Sequence, residues 1–302
     1  MNDQVLKLQK IKQYAQLTPE WYSARQYIIT ASSAAVLLNK SKEVCSSYVN
    51  SFSLEKLFEY NDKKSCNPYS NKLTYIKEKS GICPTSFTGN FATLWGQKYE
   101  EIASNIYSLM TNTEILEFGL IIHPELNWLG ASPDGITTSG TMLEIKCPPR
   151  RKISGIPPLY YWIQVQLQLE VCDLESCDFF ECDFREYLSL EEFMDDTLDD
   201  TVIYYKGIII KKENEDNKYI YPDKNTINDI NKINKLISKY SDTDKYSIIF
   251  WKLINYSNVK IFRDKDWFNT VNPLLHSEWS LINKIKENNE LINDIIPPCI
   301  FD

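Results

Sequence analysis

The 302-residue chain contains no Cys-x-x-Cys pair, and only two histidines, His123 and His276, are present to complete a metal site. Its eight cysteines therefore do not spell a zinc finger or ribbon. Cys172, Cys177 and Cys182 in "VCDLESCDFFEC" recur at a spacing foreign to ferredoxin-type cluster runs, so reduced structural thiols are expected. No apolar run is long enough to cross a bilayer, and the opening "MNDQVLKLQKIKQYAQL" lacks the hydrophobic stretch of a secretory signal. An intracellular protein with no membrane partner is the expectation. A basic surplus is missing too: 41 acidic side chains outnumber 33 basic ones, for a net charge of -8. That balance excludes a protein that coats nucleic acid over its whole surface, but leaves room for a local basic groove. Neither "IIHPEL" nor "LLHSEW" places its histidine in a nucleophile-like context, which argues against Ser/His/Asp hydrolase chemistry. No internal repeat is visible.

What is present reads as an ordinary globular chain, 43% hydrophobic and 25% charged, long enough for a sizeable core. "SSAAVLL" (32–38) and "FSLEKLFEY" (52–60) read as short helical pieces between Ser, Asn and Lys-rich loops spanning 39–90. A long helix is expected through "FATLWGQKYEEIASNIYSLM" (91–110). Strands are expected at 113–123, 127–132 and 141–147, a helix at 158–172 and a strand at 176–184. A short acidic helix (190–200) and a strand (201–212) follow. Beyond 222 the chain turns to Asn, Ile, Lys and Asp with helical periodicity. The expected fold class is α/β: a mixed central β-sheet flanked by helices, with helical N- and C-terminal additions. The expected parts are an N-terminal helical part (1–94), a core (95–222) and a helical C-terminal extension (223–302), packed as one globular unit.

One stretch does not fit a plain structural reading. "GASPDGITTSGTMLEIKCP" (130–148) contains a strand whose alternation puts Glu144 and Lys146 on one face and Leu143, Ile145 and Cys147 on the other. Gly and Pro turns imply a hairpin between the strand ending near Ala131 and the one starting at Thr141, bringing Asp134 to the end occupied by Glu144. Two converging carboxylates and a backbone carbonyl such as that of Ile145 suit Mg²⁺ or Mn²⁺. A neighbouring Lys could orient or deprotonate an attacking water. An isolated Glu-x-Lys triplet more often marks a structural ion pair, so the flanking segments decide.

On the 95–110 helix Trp95, Tyr99, Ile102, Ala103, Ile106 and Met110 share one stripe; Glu100 borders it and Glu101 lies outside. In the 158–172 helix Tyr161, Gln164 and Gln168 gather on one side of an otherwise apolar segment. A buried polar side needs partners, which a site or a purely structural glutamine network would supply equally well.

Together, "WYSARQYIITASSAAVLL", "WGQKYEEIA", "LGASPDGI", "EIK" and "YYWIQVQLQL" resemble the PD-(D/E)XK nucleases, and among them the phage λ-type exonuclease (YqaJ-type viral recombinase) family, over about residues 20–185. The resemblance implies a restriction-endonuclease-like core. In it Asp134, Glu144 and the Ile145 carbonyl bind the catalytic Mg²⁺ or Mn²⁺, two ions in all. Glu100 completes the metal site, Lys146 activates water and Gln164 stands beside the centre. Arg25 and Ser32 match residues that hold a terminal 5′ phosphate. Arg offers a fork of donors, and a Ser opening a helix adds a hydroxyl and free N–H groups. The run "KCPPRRK" places Arg150, Arg151 and Lys152 where they would touch DNA backbone without reading sequence.

The implied function is a 5′→3′ exonuclease acting on linear duplex DNA with 5′-phosphate ends, whose 3′ overhangs feed recombination, repair or replication of a viral genome in the host cytoplasm or nucleus. A single-strand annealing protein is an implied partner, and family members can form rings, which leaves a homo-oligomer open. A structure-selective endonuclease or resolvase on the same fold, and a non-catalytic DNA-binding protein, are the alternatives.

Overall fold

The computed structural model describes residues 1–83, 89–196, 205–215, 217–241 and 244–294. Helix α1 (Asp3–Lys10) is capped by the Asn2 side chain, which accepts from the N–H groups of Gln4 and Val5. Helix α2 (Pro19–Gln26) starts on Thr18 with proline at its first turn. There follow β1 (Ile29–Thr30), α3 (Ala31–Ala34), β2 (Asn39–Lys40), α4 (Lys42–Ser51), β3 (Asn61–Ser65) and α5 (Lys72–Ser80). Helix α6 (Phe91–Thr111) is the long helix expected; Asn90 caps its start and Asn112, in the left-handed region at φ 50°, ends it. Short strands β4 (Ile115–Leu116), β5 (Ile121–Ile122), β6 (Leu129–Ala131) and β7 (Gly135–Thr137) lead to β8 (Met142–Lys146), α7 (Leu159–Cys172) and β9 (Ser176–Glu186). Then come α8 (Leu190–Asp195), β10 (Lys206–Lys212), β11 (Tyr219–Ile220), α9 (Ile230–Tyr240), β12 (Tyr246–Phe262) and α10 (Lys265–Glu287).

Seven strands form the main sheet in the order β11-β10-β12-β9-β8-β7-β4. Only β8 and β9 run parallel, joined by α7 as a crossover; the other neighbours are antiparallel. A second sheet, β1-β6-β5, carries the other short strands. Strand alternation feeds two cores. Met142, Cys177 and Phe179 pack toward α7 and α10, while Leu143, Ile145, Cys147, Phe180 and Phe184 pack toward α6. Glu144 and Lys146 share the α7 side of β8 with Met142, the partition read from the sequence. The described cysteines are free and all but Cys83 are buried, as expected of structural thiols.

Four local expectations are corrected. The hairpin partner of β8 is β7, in register Gly135↔Leu143, whereas Ala131 ends β6 in the smaller sheet. The turn at 132–134 therefore passes between two sheets. Residues 52–60 are turns and irregular chain, because the apolar periodicity there is too short to sustain a helix, and the helices of the 39–90 region are α4 and α5 on either side. The single strand expected at 113–123 is split between the two sheets as β4 and β5. Finally, residues 223–302 are not only helical: the 17-residue β12 lies inside the main sheet between β9 and β10. Its alternation is obscured by a bulge between Leu253 and Asn255, which shifts the period, and by an exposed half that mixes Asn255, Asn258 and Lys260 with Ile254, Tyr256 and Phe262. The expected 190–200 helix and 201–212 strand are found as α8 and β10; residues 197–204 lie outside the described ones.

The N-terminal segment is fastened to the chain between β4 and β5 and to the turn at 132–134. Tyr14 exchanges backbone hydrogen bonds with Leu120, and Gly119 has no room for a side chain, since a Cβ there would lie 2.2 Å from the Tyr14 carbonyl oxygen. Gln16 donates to the Phe118 and Pro133 carbonyls, and the Trp21 indole N–H donates to Ser132 Oγ at 3.0 Å. Both contacts pin the turn that bears Asp134.

Candidate active site

Asp134 stands immediately before β7. Its Oδ2 accepts the Ile145 N–H at 2.7 Å, and carrying the β7–β8 register back one step sets it opposite Glu144. Glu144 is 1% exposed. Its Oε1 accepts from Lys146 Nζ and, at 2.6 Å, from Gln164 Nε2; its Oε2 accepts from Gln168 Nε2 at 2.7 Å. The ammonium of Lys146 also lies 4.9 Å from the centre of the Tyr161 ring. Two of the three polar residues of α7, Gln164 and Gln168, thus hold one buried carboxylate, and the third, Tyr161, faces the ammonium that pairs with it.

The electrostatics are unbalanced. Burial pushes the Asp134 carboxyl well above its ordinary range, and Glu144 and Glu100 add repulsion that Lys146 and the Ile145 N–H only partly offset. Burial likewise raises Glu100, with Glu144 and Glu101 pushing the same way and Lys146 opposing. Burial alone would lower Lys146, yet Glu144 and Asp134 hold it above the usual lysine range, so it stays an ammonium. Three acids face one cation.

Two clefts meet at this centre, and both include Glu100 and Ile145. One, of about 920 Å³, reaches Asp134 and is lined by Glu101, Glu114, Glu117 and Asp223, with Lys224 as its basic member. The other, of about 760 Å³, reaches Lys146 and is lined by Arg150 and Arg151 with several aromatic rings.

Of the residues singled out in the sequence, Asp134, Glu144, Ile145, Lys146, Gln164 and Glu100 are brought together. Among the described residues no three His, Cys, Asp or Glu side chains form a ready-made metal cage, so Glu100 bears on the centre through its charge and by lining both clefts. Arg151 lines the second cleft, tied to Glu181 and lying over Tyr161, and Arg150 lies over the Phe91 ring. Lys152 is exposed and is not part of either cleft wall.

Arg25 sits at the end of α2 with its guanidinium 4.1 Å from the Trp21 ring centre, and no carboxylate among the described residues forms an ion pair with it. Burial lowers its pKa, while Tyr75 and Tyr22 act in the other direction. Beside it Lys79 donates to the carbonyls of Arg25 and Ile28. Ser32 is exposed within α3 rather than capping it, its Oγ 3.4 Å from Thr30 Oγ1; Ser33, next to it, bonds the Tyr75 hydroxyl at 3.2 Å.

Gln168, Glu181, Lys79 and Tyr75 were not assigned roles from the sequence. A signal existed for Glu181: in "CDFFECDF" it occupies an inward position of an alternating strand, beside Lys146 in the parallel register of β8 and β9. No comparable local signal marks Lys79, whose setting depends on α2, α5 and α10 meeting.

Residues 20–175 match the model of the YqaJ-like viral recombinase domain. Uncharacterized protein R354 of Acanthamoeba polyphaga mimivirus is 28% identical over 335 residues, covering 96% of this chain and 56% of that protein, so the chain spans little more than half of that relative's length. The crystal structure of the alkaline exonuclease LHK-Exo from Laribacter hongkongensis superposes with a TM-score of 0.51 at 19% identity, covering 93% of this chain and 100% of that one. The same enzyme in complex with dAMP gives the same values. The mixed sheet flanked by helices is therefore the alkaline exonuclease fold. By the match over 20–175, the chain is a member of the YqaJ-like viral recombinase domain family.

Proposed function

We propose that the protein is a divalent-cation-dependent deoxyribonuclease that removes nucleotides from the 5′ ends of linear duplex DNA and leaves 3′ overhangs for recombination, repair or replication of a viral genome. One observation carries this reading: Asp134 and Glu144 are set opposite each other beside the Lys146 amine where two clefts meet. Family membership supports it, as does the fold shared with an alkaline exonuclease.

The donors fit a hard cation. They are all oxygens, and burial with mutual repulsion leaves Asp134 and Glu100 short of positive charge. Asp134, Glu144 and the Ile145 carbonyl would hold Mg²⁺ or Mn²⁺, with Glu100 at the margin for a second ion. Such a cation supplies neutralisation of the scissile phosphate and easier ionisation of the attacking water. The chain's own residues do the positioning. Gln164 and Gln168 fix both oxygens of Glu144, and the Ile145 N–H fixes Asp134. Lys146, held as an ammonium, donates: it orients the attacking water through its oxygen and offsets charge building on the phosphate.

Arg25 and Ser32 are the proposed anchor for the terminal 5′ phosphate, and Lys79, which donates to the Arg25 carbonyl, joins them. Linear and closed circular duplex, incubated with Mg²⁺, separate an exonuclease from an endonuclease: the linear form is expected to be degraded and the circle to survive. Arg25→Ala is expected to erase the preference for 5′-phosphorylated over 5′-hydroxyl ends; an unchanged preference would remove Arg25 from this role.

Lys79 adds a pH dependence. Burial, then Arg25 and Lys286, push its ammonium down to about 7, with Glu78 opposing, and Tyr75 packs against it. Because the folded-state value is depressed, the charged Lys79 costs stability below pH 7, and the cost is relieved as pH rises toward the unfolded value of 10.5. A bound dianion has the opposite preference and favours the protonated form. Sulfate, whose charge is constant over this range, should therefore raise Tm more at pH 6.5 than at pH 9. Lys79→Met should flatten that difference; equal increments in both proteins would contradict the assignment.

A further inference from the structure

Two buried thiols stand apart from the acid centre. Cys45 on α4 and Cys66, one residue past β3, are both buried, and their sulfurs lie 4.0 Å apart in a hydrogen bond. The backbone around each is anchored. The Val44 carbonyl accepts from the Trp267 indole at 2.8 Å, which ties this turn of α4 to α10. The Cys66 N–H donates to the Leu38 carbonyl at 2.8 Å, at the end of the buried run 34–38. The two thiols differ in acidity. The hydrogen bond from Cys66 lowers Cys45 from its ordinary value, and Lys40 acts the same way against burial. Donating that bond, together with burial, holds Cys66 up. At Cys147, Cys172, Cys177 and Cys182 burial prevails and the thiols are pushed up. Cys45 is thus, among the described buried thiols, the one that ionises most readily, and the thiolate is the nucleophile of sulfur chemistry. The chain between the pair is lightly held. β2 and β3 pair only at Asn39↔Ser65 and Lys40↔Asn61, with an irregularity between, and residues 55–57, 59–60 and 62–64 are exposed. A ribbon with so few backbone bonds opens locally more readily than the packed helices beside it.

We propose that Cys45 and Cys66 form a redox modification site that reacts with small disulfides, its two thiols closing into a disulfide bond that staples the end of β3 to α4. Proximity selects this pair: the sulfurs need to approach only from 4.0 Å to the bonded distance of about 2 Å. Opening of the ribbon admits the oxidant. The Cys45 thiolate attacks one sulfur of the small disulfide, and the other sulfur leaves, taking up the proton that Cys45 released. Cys66 then gives up its proton and attacks the Cys45 sulfur, so that the second small thiol leaves. Two electrons pass to the small disulfide, which is reduced to two thiols, and no further reactant is required. The new bond joins residues 21 apart in sequence. It restricts both the unfolded chain and the open ribbon, so the oxidised protein is the more stable form.

The test uses the full chain carrying Cys83→Ser, which removes the exposed thiol. The protein is incubated with oxidised glutathione, blocked with N-ethylmaleimide and digested for mass spectrometry. Neither DNA nor metal is present, so the outcome is independent of nuclease activity. A linked pair of peptides bearing Cys45 and Cys66 is expected, with Tm raised by about 5 °C and restored by dithiothreitol. Limited trypsin cleavage after the exposed Lys56, Lys63 or Lys64 should give fragments that separate on a reducing gel and stay joined on a non-reducing one. The order of attack gives a further readout: Cys66→Ser should stop at a glutathione adduct on Cys45, and Cys45→Ser should leave Cys66 unmodified. A linkage through other cysteines, an adduct on Cys66 in Cys45→Ser, or a Tm lowered by oxidation would overturn the site. So would Cys45 and Cys66 both staying free under conditions that convert Cys83 of the unsubstituted chain to a mixed disulfide.

Discussion

Asp134→Asn is expected to lower digestion of linear duplex in Mg²⁺ by about 10³-fold or more, equivalent to roughly 4 kcal/mol of barrier. The fold should survive. The amide oxygen of Asn can still accept the Ile145 N–H, and the substitution removes a carboxylate whose ionised form is disfavoured first by burial and then by Glu144 and Glu100. Without divalent cation at pH 8 the variant should therefore melt no lower than the wild type. Lost activity with unchanged or raised Tm is the signature of a group kept for function at the expense of stability. Glu144→Gln is a poorer probe, since Glu144 accepts from Lys146, Gln164 and Gln168, and an amide would turn a donor toward one of those three donors. Activity assays and thermal melts on purified Asp134→Asn check both halves.

The second large effect is expected at Lys146. Lys146→Met should reduce turnover by about 10²- to 10⁴-fold, the range for a group that assists proton transfer or charge development. It should also destabilise the metal-free protein by about 3 kcal/mol, because Glu144 would remain buried without its cation. Here the divalent ion provides a distinctive check. Mg²⁺ or Mn²⁺ at the acid pair would resupply the missing positive charge, so adding it should recover much of the lost Tm in Lys146→Met and give a smaller increment in the wild type. Equal increments in the two proteins would place the cation elsewhere.

The strand bearing Glu144 and Lys146 is legible in the sequence because a period of two leaves no freedom: once Leu143, Ile145 and Cys147 face a core, Glu144 and Lys146 must share the opposite face. The inward position of Glu100 and the polar side of α7 were legible for the same kind of reason, helical geometry acting on a long segment. The hairpin partner of β8 is not legible, because "GITT" is too short to read as a strand. Only the pairing of Gly135 with Leu143 shows that the chain changes sheets between Ala131 and β7. β12 was hidden by its bulge and by an exposed half that mixes Asn and Lys with apolar residues. Glu181 and Lys79 depend on elements far apart in sequence: Glu181 needs β9 laid parallel to β8, and Lys79 needs α5 packed against the end of α2. Local patterns report which way a side chain faces, and tertiary packing decides what it meets.

The proposed function requires Asp134 and Glu144 to hold a hard divalent cation together. Titration of Mn²⁺ into the protein at pH 8, following free ion by electron paramagnetic resonance, tests it without DNA or turnover. Saturable binding in the wild type that is lost in Asp134→Asn is the predicted result; the same isotherm in both proteins would contradict it.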